Sequence, residues 1–257
     1  MRVSIVIAGV SGDRAVERCT GLLRRAAENQ DLEILVLRGD PDSVFQLRWR
    51  GIMQASGERV AVLGDRYQAT PRWLKEIAEV DAEAAAGCIA PAASLNYWGW
   101  CVYLSEYAHV APPVTDGPAL EPKQAPGGNV LYSASVLGRW QPAASDTDLS
   151  FHARLMQAGV NFQIGRALEV EFASAPGFSE YIRERFWLSR KIGSDGGARK
   201  LLVAPLLPFV VLFRVASAVC GKRRYIGRFL ACAPAIFLLG IVQAAGESAG
   251  ALSRPRR

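Results

Sequence analysis

Three times near its start the chain passes from a short, unbroken apolar run through a Gly/Asp loop into a segment of helical periodicity, and this alternation constrains its fold more than anything else in it. "VSIVIA" (Val3 to Ala8) precedes "GVSGDR" and "AVERCTGLLRRAAE", with Asp13 as a cap. "LEILVL" (Leu32 to Leu37) precedes a Gly-Asp-Pro loop and "VFQLRWRGIMQAS", and "ERVAVLGD" precedes "TPRWLKEIAEVDAEA". Apolar runs this short read as strands buried on both faces. In the third helix Thr70 has the side chain of an N-cap, and Pro71 has the fixed φ and missing N–H that suit a first helical position. Strands alternating with helices give an α/β fold, a mostly parallel sheet flanked by helices. Ligands of such sheets bind beyond the carboxyl ends of the strands. Asp40 and Asp65 both stand at that edge.

Further on, "AAAGCIAPA" reads as another strand, and the segment from Ser94 to Gln124 reads as a long, aromatic, Pro-rich functional loop. "DLSFHARLMQAG" returns to helical spacing, with Phe151, Leu155 and Ala158 on one face and Gly159 as C-cap; "VNFQIGRALEVEF" reads as a strand. The last quarter differs in kind. Leu201 to Cys220 is apolar except for Arg214 and Ser217, and Phe229 to Ala245 is apolar except for Gln243. Each approaches the roughly twenty residues that cross a bilayer. The expected division is an α/β domain over residues 1–198 and a membrane-associated helical hairpin with a basic tail over 199–257.

The 257 residues can bury a full core. The net charge of +6 and pI near 9.2 come largely from clusters beside the apolar runs: Arg199 and Lys200, then Lys222, Arg223, Arg224 and Arg228, then Arg254, Arg256 and Arg257. That placement fits an anionic membrane surface, and no aromatic-interleaved basic stripe points to nucleic acid. Two spans would put "GKRRYIGR" across the bilayer from the hairpin's ends, against the positive-inside tendency. An interfacial or re-entrant hairpin keeps all three clusters on the cytoplasmic face. The five cysteines form no CxxC pair and read as reduced and structural. Met1 leads almost directly into the first strand, so no signal peptide is expected and the α/β domain is expected in the cytoplasm.

Taken in order, "VSIVIA", "LEILVL", "RGIMQASGERVAVLGDRYQATPRWL", "GGNVLYSASVL", "DLSFHARLMQAG" and "RERFWLSR" resemble the family 2 glycosyltransferases, enzymes of GT-A (Rossmann-like) fold. The resemblance runs over nearly the whole chain, and the tail "QAAGESAGAL" is similar to that of membrane-bound members. It implies inverting transfer of a hexosyl or related group from a nucleotide-sugar donor to an acceptor hydroxyl, lipid-linked or on a polysaccharide. The transfer would take place at the cytoplasmic face of the cell membrane, among membrane lipids, in building the cell envelope.

The resemblance also implies site residues. The family's middle strand ends in an acidic motif that holds a cation, Mg2+ or Mn2+, against the donor diphosphate, and "GDR" occupies that place. Asp65 is then the metal ligand, with Asp65 and Arg66 at the donor; alternatively Arg66 meets the phosphates directly, since a guanidinium presents a fork of donors. Pro71 and Trp73 match the spacing of divergent members with Glu-Asp-His at the motif. Where the family has an Asp toward the nucleoside this chain has Arg38, with Asp40 two residues on, and Trp49 stands where Asn is common. Gly128 and Asn129, and Arg185 and Arg190 of "RERFWLSRK", complete the implied donor side. The base is an acidic residue opening the helix after the Gly-Gly-Asn segment. Counting back from "RLMQAG" selects Asp148, with His152 one turn on; counting forward from Asp-x-Asp-Leu selects Asp146 and needs an insertion. Both remain candidates, with Asp148 preferred.

Without the resemblance the same residues read blandly. Asp65 closes a turn, Asp146 and Asp148 cap a helix, His152 is a half-buried structural histidine, and Arg185 and Arg190 lie on a solvated face. The departures at Arg38, Trp49, Gly64 and Arg66 keep a second function open: a degenerate, non-catalytic GT-A module serving as a membrane-bound scaffold. Tyr97, Trp98, Trp100, Tyr103 and Tyr107 are expected to shape the acceptor side, because aromatic faces pack on sugar rings and lipid chains.

Overall fold

The first apolar run is strand β1 (Val3–Gly9), buried at every position, in a computed structural model that describes residues 2–10, 12–27, 31–39, 44–143, 146–196 and 199–253. Helix α1 (Asp13–Ala27) buries Val16, Cys19, Thr20 and Leu23 at helical spacing. Strand β2 (Leu32–Arg38), helix α2 (Val44–Gln54) and strand β3 (Arg59–Gly64) repeat the unit. After the short strand β4 (Tyr67–Ala69), helix α3 (Pro71–Glu79) starts as its sequence dictates: the Thr70 side chain accepts from the Trp73 N–H at 3.0 Å and Pro71 opens the first turn.

The contacts divide the chain into two units, one of residues 1–93 and 110–174 and the other of 94–109 and 175–257. The first is a sheet of eight strands flanked by helices. Its remaining strands are β5 (Ala84–Pro91), β6 (Gly117–Pro118), β7 (Asn129–Ser133) and β8 (Phe162–Phe172), and its remaining helices are α5 (Ala134–Arg139) and α6 (Asp148–Gln157). The order is β2-β1-β3-β7-β5-β8-β4, with β6 on β8. β1 is parallel to β2 and β3, and β5 is parallel to β8, while β7 runs antiparallel between β3 and β5. The sheet is therefore mixed. β7 follows Gly127 and Gly128 and begins beside the end of β3, with Asn129 opposite Leu63.

The second unit is helical: α4 (Tyr97–Tyr107), α7 (Phe178–Gly196), α8 (Arg199–Val203), α9 (Leu207–Lys222) and α10 (Ile226–Leu252). Helix α4 corrects the expectation of an irregular loop. "YWGWCVYLSEY" is apolar nearly all round and so shows no period to read, and Asn96 caps it by accepting from the Gly99 N–H at 2.8 Å. Its aromatics pack inside this unit, Trp98 on Phe178 and Tyr181, Trp100 on Tyr103 and Tyr225. Helices α7 and α10 meet backbone to backbone: a Cβ on Gly193 would lie 2.0 Å from the Glu247 carbonyl oxygen, and one on Gly246 2.5 Å from that of Phe186. A polar chain crosses this packing. Tyr181 Oη donates to Glu106 at 2.6 Å, Arg185 pairs with Glu106 and donates to Gln243 at 3.2 Å, and Gln243 donates to Glu247 at 3.1 Å. Leu201–Lys222 and Ile226–Leu252, with mean hydropathy 2.2 and 2.0, are long and apolar enough to cross a membrane by length and composition.

Candidate functional site

Parallel β1 and β3 end together, Ala8 opposite Gly64, and β7 begins there. Beyond that edge the Gly64 N–H donates to the Gly128 carbonyl at 2.8 Å, and the Val10 N–H donates to Oδ2 of Asp65 at 2.8 Å. Asp65 is buried, 6% exposed, and its carboxylate therefore ties the end of β1 to the end of β3. Cys19 of α1 donates to the Gly64 carbonyl at 3.7 Å, and burial together with the Asp65 charge pushes its thiol up to about 12. That thiol is protonated and unreactive at neutral pH.

Asp148 stands on the other side of the Gly64–Gly128 link. It opens α6, whose N-cap Thr147 and Ser150 form a reciprocal capping box. A Cβ on Gly127 would lie 2.0 Å from Cγ and Oδ2 of Asp148, so the carboxylate occupies the space that a side chain there would need. Arg48 of α2 pairs with Oδ2, both side chains being 14% exposed. Oδ1 of Asp148 has no hydrogen-bond partner among the described residues. Asp146 is held differently. Its Oδ2 takes the Ala143 N–H at 2.7 Å and the Arg154 guanidinium, and its Oδ1 takes the Ser150 hydroxyl at 3.4 Å. Asp146 closes a loop, whereas Asp148 presents an oxygen.

His152 is placed where it cannot touch a substrate. It lies one turn beyond Asp148, but that face of α6 turns into the core, and the ring is 0% exposed among Tyr132, Phe151 and Phe162. Its Nε2 shares a 2.7 Å hydrogen bond with Tyr132 Oη. Burial, partly offset by the Asp148 charge, lowers its pKa to about 4. Nδ1 makes no hydrogen bond of good geometry, although the carbonyls of Ala125 and Pro122 pull the pKa slightly upward. The expected catalytic role gives way to one of holding α6 against β7.

Asn129 is likewise a buried hub. Its Nδ2 donates to the carbonyls of Cys88 (3.1 Å) and Leu168 (2.7 Å), and its Oδ1 accepts from Trp73 Nε1 (2.9 Å). Its side chain serves the sheet, and only its backbone neighbour Gly128 borders the site. Asn129→Ala strands three buried partners, and an unfolding free energy lower by about 3 kcal/mol is expected. Urea denaturation reads it as a fall in midpoint at unchanged m.

The structure thus brings Asp65, Arg66, Gly128 and Asp148 to one sheet edge. Arg38, at the end of β2, is exposed and pairs with Asp13 of α1; Asp40 lies outside the described residues. Arg185 belongs to the Glu106 network, and Arg190 stacks on Trp187 at 5.0 Å, both in the helical unit. Two contributors went unnoticed in the sequence: Arg48, which holds Asp148, and Tyr67, whose ring lies 2.8 Å from where a Gly128 Cβ would be. The only signal for either was adjacency, Arg48 to Trp49 and Tyr67 to "GDR". Trp49 itself is buried against Phe151 at 5.1 Å, with its indole N–H donating to the Asp146 carbonyl, which binds α2 to the start of α6.

A divalent cation wants about six oxygen ligands. Among the described residues no group of three or more His, Cys, Asp or Glu converges to hold one, and Asp65 already takes a backbone N–H on one oxygen. The described residues alone do not make up a cation site. What the edge shows instead is the Asp148 carboxylate, with one oxygen on Arg48 and the other without a hydrogen bond among the described residues.

No family model and no curated protein matches the chain. Among solved structures it is similar to the mannosyltransferase PcManGT from Pyrobaculum calidifontis in complex with GDP-Man and Mn2+, at 15% identity and TM-score 0.47 over 98% of this chain and 86% of that one. It is similar to S. aureus TarS 1-349 at 10% identity and TM-score 0.45, over 98% and 89%. A nucleotidyl transferase from Methanothermobacter thermautotroptrophicus follows at 15% identity and TM-score 0.38, over 71% and 95%. These likenesses are at the level of the fold.

Proposed function

We propose that the chain is an inverting glycosyltransferase that moves a sugar from a nucleotide-sugar donor to an acceptor hydroxyl at the cytoplasmic face of a membrane. Residues 1–198 carry the chemistry and 199–257 the attachment. The observation that supports it most is the asymmetry of Asp148: Arg48 and Gly127 fix one oxygen and the other is open. A single displacement at an anomeric carbon needs a base within hydrogen-bond reach of the acceptor hydroxyl. Asp148 Oδ1 takes that proton, the hydroxyl oxygen bonds to the anomeric carbon, and the bond from that carbon to the diphosphate breaks. The negative charge that develops on the departing diphosphate needs preorganised donors. Arg66, next to Asp65 in the chain, is the group proposed to supply them, with Asp65 tying the two strand ends together.

Incubating the purified chain with UDP-, GDP- and dTDP-sugars, with and without Mn2+, tests the reading by calorimetric binding and by nucleotide release. At least one donor should bind and be slowly hydrolysed. Binding of none, under any metal condition, leaves the rival reading of a non-catalytic membrane scaffold, which the structural use of His152 and Asn129 favours.

A further inference from the structure

We infer that the α9–α10 hairpin lies in the plane of a lipid surface as a monotopic anchor, with its basic tip on the same side of the bilayer as the sheet. The partner is a membrane carrying anionic headgroups. This rests on the membrane reading above and adds its topology, which hydropathy alone leaves open between two spans and none.

The first ground is a tether at the tip. Lys222 Nζ donates to the His109 carbonyl at 3.1 Å, the Arg228 guanidinium sits 5.2 Å from the Trp100 ring centroid, and Tyr225 packs on Trp100 at 5.3 Å and on Tyr103 at 6.2 Å. The tip is thereby fixed to α4 and the residue pair that follows it. Helix α4 is short and joined to the sheet at both ends, to β5 through residues 92–96 and then through Val110, whose carbonyl accepts from Ile89 at 3.2 Å. Five extended residues reach roughly 18 Å, less than the hydrocarbon thickness of about 30 Å. A tip held on α4 cannot stand across a bilayer from β5.

The second ground is what α10 packs against. Its buried side, Phe229, Cys232, Ile236, Leu239, Gly246 and Glu247, faces other helices of its unit, and α7 meets it along the Gly193 and Gly246 approaches. Helix α7 carries Glu180, Arg183, Glu184 and Arg185. Crossing the bilayer would draw that helix and the Glu106–Arg185 pair into hydrocarbon, where ionised groups are costly. Lying in the interface keeps that helix and its charges out of the hydrocarbon.

The third ground is the opposite surface. Leu202, Phe209, Phe213, Leu230 and Leu238 are between 61% and 82% exposed. Beside them the tip carries Lys222, Arg223, Arg224 and Arg228, folded tightly by left-handed φ at Arg223 and Tyr225. An apolar face bordered by four cations matches acyl chains beneath anionic headgroups.

The test uses the full chain in sealed membrane vesicles and a membrane-impermeant maleimide. Cys220, the exposed cysteine, is first replaced by Ser, the other four being buried. Gly227→Cys then marks the tip, where a Cβ meets nothing within 4 Å, and Leu120→Cys marks the sheet unit, where the residue is 81% exposed. Both should label from the same side of the vesicle. Labelling at 227 from the side opposite to 120 overturns the inference in favour of two spans, and labelling at 227 only after detergent overturns it by placing the tip in hydrocarbon. Recovery of the full chain as soluble protein without detergent overturns the inference together with the membrane reading on which it rests.

Discussion

Asp148→Asn is expected to lower turnover by about 100- to 10,000-fold while donor binding persists, because the amide keeps the shape beside Gly127 and can still accept from Arg48 but takes no proton. Asp146→Asn serves as the comparison. Its oxygens are engaged by Ala143, Arg154 and Ser150, so its replacement loosens a loop and changes turnover little. Rates of nucleotide release at saturating donor and acceptor separate the two. Equal losses in both variants, or a full rate in Asp148→Asn, would remove Asp148 from the proposed chemistry.

Acid should weaken the fold through His152. In the folded chain burial keeps the ring neutral until pH falls to about 4, whereas the unfolded chain takes up the proton near the ordinary 6.5. Between those values the unfolded state binds more protons, so stability rises with pH there. The contribution is complete above the unfolded value and is lost as pH falls toward the folded one. A difference of this size corresponds to about 3 kcal/mol. Urea midpoints measured from pH 7 to pH 4 should fall steeply for the native chain and less so for His152→Phe, which has no proton to gain. Parallel curves would mean that the ring is not the source.

The strands of the first units were legible because their burial is written as unbroken apolar runs, and α3 because Thr70 and Pro71 each have one place in a helix start. Asp148 was selected by the resemblance, counting back without a gap from "RLMQAG", and it is the first residue of α6. Strand β7 was not legible as a strand at all, for "NVLYS" is short and stands between a glycine turn and a helix start. Helix α4 was hidden by its own uniform apolarity. His152 shows the limit of helical spacing: being one turn from Asp148 puts two side chains on one face, but only the packing of Tyr132 and Phe162 shows that the face turns inward. Arg48 and Asp148 are a hundred positions apart, and nothing local connects them.

Because α4 and residues 175–257 form one unit, the order of synthesis matters to this protein. Helix α4 leaves the ribosome with Cys101, Val102, Tyr103 and Leu104 uncovered, and α9 and α10, which pack against α4, are made long afterwards. Partly made chains with open apolar surface aggregate or are captured by chaperones. Removing residues 199–257 would make that interval permanent. A truncated chain is then expected to be lost to inclusion bodies, and a useful soluble form would need α4 redesigned with polar residues on the face that α10 normally covers.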